Sequence, residues 1–474
     1  MDALETAYRR ASAYRRGVAD QQVRPQRTYH QMRDVFSAAV PETGCPESTV
    51  IRELADLGEP GLMHTTHPRF FGWVMGGSAP VGVAADWMVS AWGQNAAMHS
   101  SSPTAAAVEE VAQGWLLDIL DLPRQSAVGF VSGATIGSFA ALAAARGAVL
   151  LRHGWDVEAQ GLFGAPEVHV FVGDDVHTSV LSALRYLGFG ARRLVRVATD
   201  MQGRMRADVL AQCCAQVAGP KLIIAQAGQI NTGAFDPFIQ IADIAQDNDA
   251  WLHVDGAFGL WARADPAMLG LTEGVERADS WVVDGHKWLQ VPFDSGYAIV
   301  RDTRALQNAM TTSASYLPTQ GENDRVPSFL VPELSRRARG LPTWAVLKSL
   351  GRSGVIGMVR HHCAIARQIA DDLSTTNGIQ VMNDVVLNQI VVRFGDDQDD
   401  PALRRAYAVA VIDHLVQQGL VFVAGAAWRG EWVMRISVIN GATTADDART
   451  AAHAIRDTWL YVSNCKSQGQ AEIR

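Results

Sequence analysis

Cysteine is sparse, basic residues are outnumbered and no long apolar run appears, and each shortage narrows what this protein can be. The five cysteines, Cys45, Cys213, Cys214, Cys363 and Cys465, show no CxxC and no paired spacing. That argues against a disulfide framework or a zinc site and for a reducing, cytoplasmic setting. The net charge is −8, from 41 Lys and Arg against 49 Asp and Glu. Nucleic acid and anionic membrane both need a basic face, so neither is an expected partner. The local cluster Arg336, Arg337 and Arg339 reads as a solvated helix face. The most apolar window, Phe139 to Leu151, carries Arg146 and is too short to span a bilayer. The segment from Met1 to Asp20 is polar and has no signal-peptide h-region. There is no GKS/T phosphate loop and no GxGxxG. His64 and His67 have no carboxylate or cysteine at ligand spacing, so no metal is expected.

What is present is ordinary globular composition, 48% hydrophobic and 19% charged over 474 residues, with length for two or three domains. Residues 1–65 look helical, with Ala3, Ala7, Ala11 and Tyr14 at helical spacing. Beyond them, short apolar runs alternate with helical patterns. Strands are expected at 127–131, 169–173, 221–226, 251–254, 280–283 and 296–301, the last one a candidate antiparallel strand. Helices are expected over 104–122, from Phe139 to Arg146, and over about 177–187 and 238–246. Alternation of this kind predicts an α/β fold: a mainly parallel sheet with helices on both faces. The stretch of about 311–335 is polar and patternless, as a mobile lid loop would be. From Trp344 a helix leads into a smaller α+β region with strand candidates at 389–393, 420–423 and 432–437. The expected organisation is a helical segment 1–65, a large domain 66–340 and a C-terminal domain 341–474.

Two strand ends carry the chemistry. Trp251 to Val254 ends in Asp255, and Ser280 to Val283 leads into Asp284, His286 and Lys287. Ligands of such sheets bind outside the carboxyl ends of the strands. A lysine and an aspartate there suit a pyridoxal phosphate site, with lysine on the aldehyde and aspartate on the ring nitrogen. They equally suit a buried ion pair. A second feature is the strand Ala127 to Val131, the small-residue turn Ser132-Gly133-Ala134-Thr135, and an alanine-rich helix. Free N–H groups and the helix dipole make that layout a phosphate binder. Phe70, Phe71 and Trp73 beside Gly76 and Gly77 form either an apolar ligand wall or core.

Together these motifs resemble the group II pyridoxal phosphate-dependent amino-acid decarboxylases, which include the aromatic-L-amino-acid decarboxylases. The likeness covers roughly residues 35–460. It rests on His286-Lys287-Trp288 with Phe293-Asp294, on His253-Val254-Asp255-Gly256-Ala257, and on Asp175-Val176-His177-Thr178-Ser179. Ser101-Ser102-Pro103 and Ala134-Thr135 fall in the same order. The resemblance implies the type I aminotransferase fold, with a seven-stranded-type sheet, and a homodimer with shared active sites, residues around Ala91 to Met98 reaching across. It implies pyridoxal 5'-phosphate as cofactor, with Lys287 forming the internal aldimine and Asp255 keeping the ring nitrogen protonated. His177 would stack on one ring face with Ala257 against the other, and Ala134 and Thr135 would hold the phosphate. His286 would move protons, and Arg435 would meet a substrate carboxylate. The implied reaction is decarboxylation of an L-amino acid through a quinonoid. Phe71 and Trp73 suit an aromatic or apolar side chain.

The chain also departs from the family. A threonine-rich turn is replaced by Gly228 to Thr232, where Asn231 stands in as a polar contact. Asp284 stands where some members carry an asparagine near the phosphate. An ionised carboxylate would repel that phosphate, so Asp284 is left out of the expected site. Residues 319–332, which match the family's mobile loop, contain no tyrosine to reprotonate the quinonoid, and Tyr316 lies earlier. Other reactions on the same scaffold therefore stay open: aldehyde-forming oxidative deamination, aldol-type cleavage or transamination.

Overall fold

The structure is a computed structural model and describes residues 2–311 and 325–467. Most of the expected lid loop, with Tyr316, lies outside the described residues. The chain forms two compact units. One comprises residues 1–75, 367–382 and 391–474, and the other 76–366 and 383–390. These cuts fall elsewhere than residues 65 and 340, because the N-terminal helices count with the C-terminal elements.

The larger unit is built on seven strands: β1 (Ala127–Val131), β2 (His169–Gly173), β3 (Val195–Val197), β4 (Lys221–Gln226), β5 (Trp251–Asp255), β6 (Ser280–Asp284) and β7 (Gly296–Val300). Their order is β1-β7-β6-β5-β4-β2-β3. From β6 through β3 all pairings are parallel. β7 alone runs against its neighbours, β6 and β1. Six of the seven strands were legible as apolar runs. β3 was not, because Val195-Arg196-Val197 is too short to make a run. Every residue of β1, β4, β5, β6 and β7 is buried. That explains their unbroken hydrophobicity, since a sheet covered on both faces has no polar side.

The helix Ala134–Arg152 packs across this sheet and is longer than Phe139 to Arg146. By length and composition it could cross a membrane, contrary to the sequence-based expectation, but 61% of its apolar window is buried inside the fold. Its alanines let it lie close to the sheet, where a Cβ on Gly137 would collide with Val282. In Pro103–Ile119 the buried face is Ala105, Glu109, Ala112, Leu116 and Ile119, whereas Val111 is exposed.

The arginine cluster is not a solvated face. Arg336 is fully buried, 2.6 Å from Glu109, and also donates to the carbonyls of Ala96 and Phe130. Arg337 pairs with Asp86 at 2.7 Å, and Arg339 forks onto Asp294 at 2.9 and 3.1 Å. Their partners lie far away in sequence, so the local pattern gave no hint of them.

The smaller unit carries helices Ala3–Gly17, Tyr29–Phe36 and Glu47–Gly58 and a four-stranded sheet. Its strands are β8 (Ile379–Val381), β9 (Gln389–Phe394), β10 (Ala424–Trp428) and β11 (Glu431–Ser437), in the order β10-β11-β9-β8. The candidate at 420–423 is not a strand. Phe422 instead stacks on Phe70, with centroids 4.9 Å apart, and accepts from the Phe71 N–H. The strand follows it at Ala424, in a segment of small residues with weak β preference. A two-residue turn, Arg429-Gly430, closes this hairpin with both residues at positive φ, 51° and 83°. That is the twist a tight hairpin needs.

His253, in the middle of β5, is wholly buried, with Nδ1 2.9 Å from Ser280 Oγ and, among the described residues, no partner on Nε2. Burial pushes its pKa down from 6.5 to about 4, against the opposing pull of Asp255. The unfolded chain therefore binds a proton between these values and the native chain does not, so stability falls as pH drops through this window. The full effect is on the order of 3 kcal/mol. Urea unfolding of wild type and His253→Gln across pH 7 to 4 checks this: the wild type should lose more stability than the variant.

Candidate active site

The site follows from the single antiparallel strand. β7 lies between β1 and β6, and its first residue, Gly296, faces Val131 on one side and Asp284 on the other. The ends of β1 and β6 are thereby set one strand apart at the same edge. A Cβ at Gly296 would stand 2.5 Å from Gly133 Cα and 3.0 Å from Asp284 Oδ1. Because it is glycine, the Asp284 carboxylate crosses the gap and accepts the Ala134 N–H at 2.6 Å. Ala134 opens the helix that follows β1. Among the described residues, the N–H groups of Thr135 and Ile136 in the same first turn find no acceptor. They are the unsatisfied donors every helix start presents.

The other oxygen of Asp284 lies 3.2 Å from Lys287 Nζ and 3.8 Å from His286 Nε2. Asp284, which sequence reasoning left out, is therefore at the centre of the cluster. Its backbone is fixed as well, since its N–H donates to Ala257 O at 2.8 Å. Ala257 in turn donates to Asp255 Oδ1 at 3.1 Å, which ties the end of β5 to the end of β6. Asp255 is buried, and its second oxygen has no partner among the described residues.

His286 is oriented by Ser295, whose N–H donates to Nδ1 at 3.2 Å, leaving Nε2 to carry the proton. Burial lowers the pKa of His286, and Asp284 opposes that shift. Burial thus favours the neutral ring. Phe293 packs on it at 4.4 Å. Behind Lys287, the Trp288 indole is fully buried and donates to His362 Nδ1 at 2.9 Å. Gly76 lies so close that a Cβ there would collide with the Lys287 carbonyl. Gly76 and Gly296 are positioning residues that a sequence pattern cannot mark, because what they admit is contributed by distant strands.

His177 caps the helix Thr178–Tyr186 at the same sheet edge, its Nδ1 accepting from Ser179 N–H at 3.2 Å. Asn231 lies buried in the turn after β4, its N–H bound by Gln229 Oε1 at 2.6 Å. Thr232 uses its hydroxyl on Gln202 O, 2.6 Å away. Phe71, Trp73 and Arg435 belong to the smaller unit. There Phe71 is buried, Trp73 is half exposed against Phe422, and burial lowers the Arg435 pKa.

A buried carboxylate with a free oxygen, a lysine at the neighbouring strand end and a helix start are what a phosphorylated pyridine aldehyde needs. The profile of the family described as "Pyridoxal-dependent decarboxylase conserved domain" matches residues 29–394. The chain belongs to this family. It is a pyridoxal phosphate-dependent carboxy-lyase. It is 27% identical over 424 residues to an aromatic-L-amino-acid decarboxylase of Bacillus atrophaeus, covering 88% of this chain and 86% of that one. It is also 27% identical to an L-2,4-diaminobutyrate decarboxylase of Rhizobium meliloti, over 88% of this chain and 83% of that one. The Oryza sativa TDC structure with PLP and tryptamine superposes with a TM-score of 0.90, at 24% identity and 97% coverage of both chains. This likeness confirms the type I fold.

The tight fit at Gly296 is testable. Gly296→Ala forces apart the β1 turn and Asp284, with a loss on the order of 1–3 kcal/mol from overpacking. Urea-unfolding midpoints of variant and wild type should differ accordingly, and equal midpoints would contradict the packing argument.

Proposed function

We propose that this enzyme decarboxylates an L-amino acid with an aromatic or apolar side chain, using Lys287 as the cofactor-binding amine. The observation that carries the site reading is the placement of Lys287, Asp284 and Asp255 at adjacent strand ends beside a helix N-terminus. The cofactor supplies an electron sink for the charge left on Cα when carbon dioxide departs. The residues do the rest. The Lys287 amine would hold the cofactor's aldehyde, and Asp255, whose second oxygen has no partner among the described residues, would keep the ring nitrogen protonated. Thr135 and its neighbours in the helix's first turn present N–H groups to the phosphate. His177 and Ala257 would hold the ring, and Asn231 would add a polar contact. His286, held by Ser295 beside Lys287 in sequence and near Asp284, would carry protons.

The aromatic preference draws on the Bacillus atrophaeus relative, and the diaminobutyrate relative marks the competing possibility. A homodimer is supported by the helix Pro80–Trp92, which exposes Trp87, Met88 and Trp92 on its surface. Apolar patches of this kind mark subunit contacts. A reducing, cytoplasmic location fits the five free thiols. A second reaction, aldehyde formation, is favoured by the absence of tyrosine in residues 319–332.

Purified protein with pyridoxal phosphate should show a violet absorbance band that Lys287→Ala abolishes. Asp255→Ala should lower kcat by on the order of a hundredfold or more, as a loss of that electrostatic support implies. An amino-acid panel read together for carbon dioxide, aldehyde and peroxide decides the reaction. Carbon dioxide with amine supports decarboxylation, aldehyde with peroxide supports the second reaction, and no carbon dioxide from any substrate rejects the first. Light scattering should give twice the chain mass.

A further inference from the structure

We propose that the Asp284 carboxylate is a built-in competitor for the cofactor's phosphate: whenever no cofactor is bound it occupies the helix N-terminus and neutralises Lys287, and cofactor binding displaces it from both. This rests on the reading of the site given above and adds a control to it. The geometry is specific. One oxygen takes the Ala134 N–H at 2.6 Å and the other stands 3.2 Å from Lys287 Nζ. The side chain is only 3% exposed, so solvent screens neither contact strongly.

A helix start attracts one anion through its free N–H groups and its dipole. Here the chain supplies that anion itself. A phosphate brought to the Thr135 and Ile136 N–H groups would meet a carboxylate already bound to the adjacent Ala134 N–H. Burial disfavours the charged form of the nearby imidazole, His286, and so weakens any offset to the added charge. Two anions at that separation repel strongly in a partly buried site. The same carboxylate also holds the amine that the aldehyde needs. Leaving one contact without the other is difficult, because Gly296 and the Ala257 hydrogen bond fix where Asp284 can stand. The phosphate handle and the amine handle are therefore released together. An asparagine of the same shape would still accept the Ala134 N–H, and its amide would donate to a phosphate instead of repelling it.

The test uses cofactor-stripped full-length protein, wild type, Asp284→Asn and Asp284→Ser. Each is titrated with inorganic phosphate and, separately, with pyridoxal phosphate, following heat of binding, thermal unfolding and the violet band. Both variants should bind both ligands at least about tenfold more tightly than wild type. Asp284→Ser, which loses the cap, should also melt lower than wild type when unliganded. Equal or weaker binding by both variants, with a Lys287-dependent band present in the wild type, overturns this inference alone. A wild type that gives no Lys287-dependent band overturns the reading of the site, and this inference with it.

Discussion

The arrangement around Lys287 depends on one carboxylate reaching across a strand. Asp284 belongs to β6, yet it caps the helix that follows β1, and it does so over the bare backbone of Gly296 on β7. Had β7 carried a side chain at its first position, the helix start and the lysine would be held apart. The antiparallel insertion of β7 is therefore more than a variation on a parallel sheet. It closes the distance between two strand ends that would otherwise serve separate ligands. The turn after β5 joins the same network through the Ala257–Asp284 and Ala257–Asp255 bonds. Three strand ends are thus locked together by short polar contacts before any ligand arrives, the kind of preorganisation that catalysis rewards.

Much of this was legible in the order of residues. A buried strand advertises itself as an apolar run because both faces are covered, so β1, β2, β4, β5, β6 and β7 could be placed almost to the residue. Lys287, Asp255 and the first turn at Ala134 followed from where those runs end. What could not be read depends on partners remote in sequence. Arg336 looks like a surface residue until Glu109 is brought against it. Asp284 looks like a misplaced charge until Ala134 and Lys287 stand on either side of it. Ala424 to Trp428 looks like a loop, because its pairing with β11 supplies what its own residues do not. Phe422, the apolar residue that drew attention to the neighbouring stretch, is spent on a stacking contact with Phe70. Local pattern reports burial well and says little about which distant side chain causes it.

The family assignment and the geometry address different questions. Membership fixes the cofactor and the class of bond broken. The contacts around His286 describe how a proton could be held near the reacting centre without a tyrosine in residues 319–332. A neutral imidazole fixed by Ser295 and flanked by Phe293 is rigid and poorly hydrated.

The buried arginines carry a consequence for how this enzyme can change over generations. Arg325 is pinned to Gln113 and to the Val128 carbonyl, and Arg336 to Glu109 and the Phe130 carbonyl. Both anchor to β1 and to the helix before it. Neither Glu109 nor Arg336 can therefore be exchanged without the other, because removing one leaves the partner's charge buried and unpaired.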